Sequence, residues 1–109
     1  MATTETIIGQ TKDGRLIVYF ENAGPSSYSA GGQSISISTL RKVEKVLTIG
    51  NDKGYLMDPG AVTISGNTIT VPWYYHYFQC PVTCPTGARE VNENTDLSGA
   101  TVKGVVVGF

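Results

Sequence analysis

Apolar and polar residues alternate with a two-residue period in several short stretches of this chain, as a strand with one buried face requires. Gln33 to Ser38 shows it most plainly, with Ile35 and Ile37 on one side and Ser34, Ser36 and Ser38 on the other. It predicts a half-buried antiparallel strand. From Ala61 to Val71, Val62 and Ile64 alternate with Thr63 and Ser65, Gly66-Asn67 intervenes, and Ile69 and Val71 alternate with Thr68 and Thr70. Two turn-forming residues between alternating runs predict a hairpin closed by a tight primed turn. Arg15 to Glu21, preceded by Lys12-Asp13-Gly14, predicts a strand with Leu16, Val18 and Phe20 on one face and Ile17 and Tyr19 on the other. Both faces are apolar, so both are expected to be covered. Ala100 to Phe109 carries Val102, Val105, Val106 and Val107 around Gly104, predicting a last strand that is buried on both faces or bulged at the glycine.

Thr39 to Gly50 fits two periods: Leu40, Val43 and Leu47 have helical spacing, whereas Val43 to Ile49 is rich in strand formers. The expectation is one helical turn near Thr39 to Lys42 followed by a strand. Asn22 to Gln33 holds three Gly, one Pro and three Ser, which predicts a long loop or a flexible arm that orders against a neighbour. Residues 79–98, with both cysteines, Pro81 and Pro85, predict a second long loop.

Composition sharpens the fold class. The chain has 109 residues, of which 32 are Val, Ile or Thr against only five Leu and six Ala; β-branched side chains favour strands and strong helix formers are scarce. One all-β domain over residues 1–109 follows, an antiparallel β-sandwich of jelly-roll-like type, since no fixed-period repeat points to a solenoid or propeller. Charged residues are 16% of the chain, well under the usual quarter, so part of the surface is expected to be covered. A net charge of −1 offers no basic field for nucleic acid. The first ten residues have neither a basic start nor a long apolar run, and apolar runs elsewhere are only a few residues, so neither a signal peptide nor a membrane association is expected. Two cysteines are too few for a secreted disulfide scaffold, which makes synthesis in a cytosol the expectation.

Candidate chemistry is sparse. His76 is the single histidine, with no recognisable relay to a nucleophile, and the acidic residues are scattered singly, so an enzyme is not expected. No glycine-rich stretch runs into Lys-Ser or Lys-Thr and a helix, and no cofactor is implied. His76, Cys80 and Cys84 have a metal-like spacing that Glu90 or Glu93 would complete, but structural zinc sites normally come as two ligand pairs, and no metal is assigned. Cys80 and Cys84 are left as free buried thiols or as a short-loop disulfide.

Pro72 to Phe78 concentrates five of the ten aromatic residues in six consecutive positions. In a strand, Trp73, Tyr75 and Tyr77 share one face, and Tyr74, His76 and Phe78 the other. Because Tyr and Trp are enriched where surfaces meet, Trp73, Tyr74, Tyr75 and Tyr77 are candidate assembly residues; the competing reading places one face in the core and covers the other with residues 79–98. Arg41 and Lys42, with Lys45, form a candidate docking patch, against the alternative of a solvated mixed-charge face.

Three stretches carry a family resemblance: Ser34-Ile35-Ser36-Ile37-Ser38-Thr39-Leu40 running into Val43-Glu44-Lys45-Val46-Leu47, the Gly66-Asn67 hairpin, and Leu97-Ser98-Gly99-Ala100-Thr101-Val102 running to Val107-Gly108. On these the chain resembles small bacteriophage virion structural proteins of the capsid decoration, or cement, type, over about two-thirds of its length. Tyr74 to Asn94 departs from that pattern. The resemblance implies a non-enzymatic β-domain on the outer surface of a capsid in the virion, a major capsid protein as partner, and a homo-oligomer such as a trimer. A carbohydrate- or ligand-binding β-sandwich, or a phage neck or tail component, is the alternative.

Overall fold

The computed structural model describes residues 3–75 and 89–109, which form nine strands and one short 3-10 turn, with no α-helix among them. Strands β1 (Thr4–Gln10), β2 (Leu16–Ala23), β9 (Thr101–Gly108) and β4 (Val43–Asn51) make a four-stranded antiparallel sheet in the order β1-β2-β9-β4. Strands β3 (Gln33–Ser36), β6 (Thr68–Val71) and β5 (Thr63–Ser65) make a three-stranded sheet in the order β3-β6-β5, and β7 (Tyr74–Tyr75) pairs with β8 (Arg89–Glu90). One buried cluster joins the sheets: Val18, Phe20, Val102 and Val106 from the larger, Ile35, Ile69 and Val71 from the smaller. The composition is thus realised as a nearly all-β, antiparallel structure.

The β5–β6 hairpin turns at Gly66-Asn67, with Ser65 opposite Thr68. Gly66 has φ 59° and Asn67 is not in the left-handed region, the pattern of a II′ turn, which matches the twist of the flanking strands. The turn carbonyls also hold the β3–β4 connection, Gly66 O accepting from Val43 N at 2.9 Å and Asn67 O from Ile37 N at 2.9 Å.

Strand β4 explains the double period of its sequence. Its register against β9 shifts between Val43 and Lys45 and again between Val46 and Thr48. Each bulge adds one residue, so Val43, Val46 and Ile49 all face the core at three-residue spacing while Glu44 and Leu47 are exposed. The helical turn expected at Thr39 to Lys42 is instead a tight turn, Leu40 N donating to Ile37 O at 3.0 Å. Nor does Gly104 bulge β9, whose pairing with β2 runs unbroken from Thr101 to Gly108.

Residues 22–33 do not form a free arm. Asn22 and Ala23 end β2, Gln33 starts β3, and the loop between docks on its own domain. Gly24 N donates to Ala100 O at 2.9 Å, Leu97 N to Pro25 O at 2.8 Å, and Tyr28 N to Thr95 O at 3.0 Å. The Tyr28 ring is in the core; its hydroxyl donates to Glu90 Oε2 at 2.6 Å and accepts from Trp73 N at 3.1 Å. Burial and then the Glu90 hydrogen bond push this phenol far above its usual range. A single aromatic anchor supplies what the Gly and Ser residues lack.

In strand β1 a bulge between Ile7 and Gly9 breaks the alternation, so its sequence shows no strand period. Besides its ladder with β2, it is held by Glu5, whose carboxylate accepts from Ser38 N (3.0 Å), Ser38 Oγ (2.9 Å) and Thr39 N (2.7 Å). Partial burial alone would raise this carboxyl, but the hydrogen bonds from Thr39 and Ser38 outweigh it and hold the group below its ordinary value of 4.5. A depressed carboxyl contributes stability above its unfolded pKa and loses it as pH falls through the folded one. We expect the wild-type melting temperature to drop more steeply than that of Glu5→Gln between about pH 5 and pH 3, with β1 amides exchanging faster in the variant at neutral pH. Identical pH profiles for the two proteins would show that the clasp does not form.

Candidate assembly surface

Those of the residues singled out in the sequence that are described separate into three groups. Trp73 has 0% and Tyr75 7% of its surface exposed, so both are core residues of the single chain and not interface side chains. Trp73 Nε1 donates to Gln33 Oε1 at 3.1 Å, and its ring meets Tyr55 edge-on at a centroid distance of 5.4 Å. Tyr74 is half-buried on the opposite face, bridged through its backbone to Leu56 (2.8 and 3.0 Å), and lines a small cleft with Leu56, Met57 and Ala61. Arg41 and Lys42 are exposed, and their backbone N–H groups both donate to Phe109 O, at 2.8 and 3.0 Å, so the segment clasps the end of β9. Tyr77, His76, Cys80 and Cys84 lie outside the described residues.

One apolar surface among the described residues lies on the outer face of the four-stranded sheet. Antiparallel pairing sets Ile17 beside Val107 and Tyr19 beside Val105, all half-buried and directed away from the core residues Val18, Phe20 and Val106. The second bulge of β4 adds Leu47, which is 46% exposed, next to this block. Ile17 also leans across the β1 edge, where an added Cβ on Gly9 would lie 3.3 Å from its Cδ1. On that edge the bulged residue Ile8 is 57% exposed, whereas Ile7, 53% exposed, pairs with Val18 and lies on the core side of the sheet. Scattered apolar residues on a surface are ordinary, but a contiguous patch marks a contact. The doubly apolar pattern of β2 pointed to this face; the contributions of β1 and Leu47 arise from bulges that periodicity does not show.

Charged groups sit at the two ends of the patch. At one, Arg15 is bonded by both Asp13 and Glu44; hydrogen bonding to Glu44, then the nearby Asp13 charge, raises the Arg15 pKa further. At the other, Tyr19 Oη donates to Glu21 Oε2 at 2.8 Å, and Glu21 lies opposite Lys103. The Glu21 hydrogen bond raises the Tyr19 phenol. On the β4 side Lys45 lies opposite Val107 and Thr48 opposite Val105; an apolar centre bordered by polar and charged groups is the distribution of a protein–protein contact. Among the described residues there is no group of three or more His, Cys, Asp or Glu placed to hold a metal ion, and no helix long and apolar enough to cross a membrane. Comparison with protein-family models, with curated proteins and with solved structures finds no match.

Proposed function

We propose that the chain is a non-enzymatic virion structural protein that binds the outer surface of a phage capsid as a decoration protein, and that it docks through the outer face of the four-stranded sheet. The observation that supports this reading is the uncovered apolar block of Ile17, Tyr19, Val105 and Val107 with Leu47 beside it, on a chain with few charges. A rigid β-domain presenting one apolar sheet face suits a coat lattice, which offers many identical copies of a complementary site. The partner in this reading is the major capsid protein, with copies of the chain grouped as a trimer about a symmetry axis. The two larger sheets then close as a jelly-roll-like sandwich over the shared core, which makes the docking face stiff.

Leu47→Glu and Val107→Glu place a carboxylate in the patch without touching the core cluster. Each is expected to weaken binding to shells of the parent virion by about 30-fold or more, as at an interface hot spot. Melting should stay near wild type. The measurement is co-sedimentation of the purified variants with shells stripped of this protein; unchanged binding by both variants removes this face as the docking surface.

A further inference from the structure

We infer that the serine-lined groove beside the loop 24–32 binds a neutral, hydroxyl-rich ligand, a short stretch of carbohydrate. This site lies apart from the sheet face argued above and does not depend on it. The groove has a volume of about 670 Å3, inside the range of small-molecule sites of roughly 300–1,000 Å3. Its walls come from the loop after β2, the start of β3 and Ser98, and the Leu97 N to Pro25 O bond of 2.8 Å ties two of them together.

The chemistry of the lining selects the ligand. None of the residues that line the groove is charged, so it offers a phosphate or carboxylate no counter-charge and a cation no carboxylate. Ser26, Ser29 and Ser34 are exposed, and their hydroxyls make no hydrogen bond among the described residues. The Ser98 hydroxyl donates to Asp96 Oδ1 at 2.6 Å, which leaves it as an acceptor. A serine hydroxyl both donates and accepts, as a sugar hydroxyl does.

Beneath these groups the amides are fixed. Gln33 Nε2 donates to Asn22 Oδ1 at 3.0 Å and to Ala23 O at 2.8 Å, Gln33 Oε1 accepts from the buried Trp73 Nε1, and Asn22 Nδ2 donates to Thr3 Oγ1 at 2.7 Å. Such locked amides lower the ordering cost of binding. Gly32, at φ 133°, is what lets the chain turn from the loop into β3, since an added Cβ would lie 2.8 Å from Val71 C.

The test is a proton–nitrogen NMR titration of the intact chain with methyl glycosides of glucose, galactose, mannose and N-acetylglucosamine and with their disaccharides. At least one is expected to give saturable shifts confined to the amides of residues 24–34 and 97–99. The triple variant Ser26→Ala, Ser29→Ala, Ser34→Ala should bind it at least about tenfold more weakly. If the triple variant melts lower than wild type, the three single variants carry the same reading, each with a smaller loss. The proposal is overturned by the absence of saturable groove shifts with every sugar, by variants that bind as wild type does, by tighter binding of a sugar phosphate or sialic acid, or by a short peptide alone shifting the β3 amides.

Discussion

Trp73→Ala is expected to destabilise the isolated chain by about 3–5 kcal/mol, enough to unfold much of it at ordinary temperature. The indole is wholly enclosed, bonded through Nε1 to Gln33 and packed edge-on against Tyr55, while its backbone N–H is held by Tyr28 and its carbonyl by Val91 N at 2.9 Å. Truncation leaves a cavity, an unpaired Gln33 acceptor and a loose contact beneath the loop 24–32, three losses in one region that cannot collapse independently. Denaturant unfolding of the monomer measures it. A variant that melts within about 0.5 kcal/mol of wild type while failing to assemble would return Trp73 to the interface and contradict the packing described here.

Gly104→Ala should cost about 1–3 kcal/mol or more, although alanine is the smallest change available. Gly104 sits mid-way along the central strand β9 on the core side, and a Cβ there would lie 2.7 Å from Phe20 Cε1 and 2.9 Å from Thr48 O. The ring of Phe20 fills the space where this glycine has no side chain, so neither β2 nor β4 can withdraw without breaking the sheet. Equilibrium unfolding again reads the loss, and Gly99→Ala is the control, since an added Cβ there meets nothing within 4 Å. Equal stabilities for the two variants would show that Phe20 does not lie over Gly104.

These two sites show what alternation along a chain does and does not encode. The runs over β3 and β6 and the inward side of β2 are legible because each has one buried face and a regular register, so period and burial coincide, whereas β5 alternates in sequence although Ile64 is 38% exposed. The bulged strands are not legible: in β1 the adjacent Ile7 and Ile8 hide the pairing, and in β4 two extra residues turn a period of two into three. Of the aromatic run only Tyr74–Tyr75 is strand among the described residues, with Trp73 and Tyr75 both buried, and a period cannot tell a face covered by the chain itself from one covered by a partner. Tyr28 illustrates the same point. Read locally it belongs to a Gly- and Ser-rich segment with nothing to bury, whereas its hydroxyl partner Glu90 is 62 positions away. Long-range pairing decided the outcome in each case, and no window of neighbouring residues contains it.

For the docking surface, the most direct measurement is an image of the native particle by electron cryomicroscopy at a resolution that traces strands. The expected result is density for this chain on the outside of the shell, with Leu47, Val105 and Val107 on the four-stranded sheet turned toward the coat protein and the groove near Ser34 facing solvent. A shell without this chain, or a bound chain whose outer sheet face points into solvent, would contradict the account.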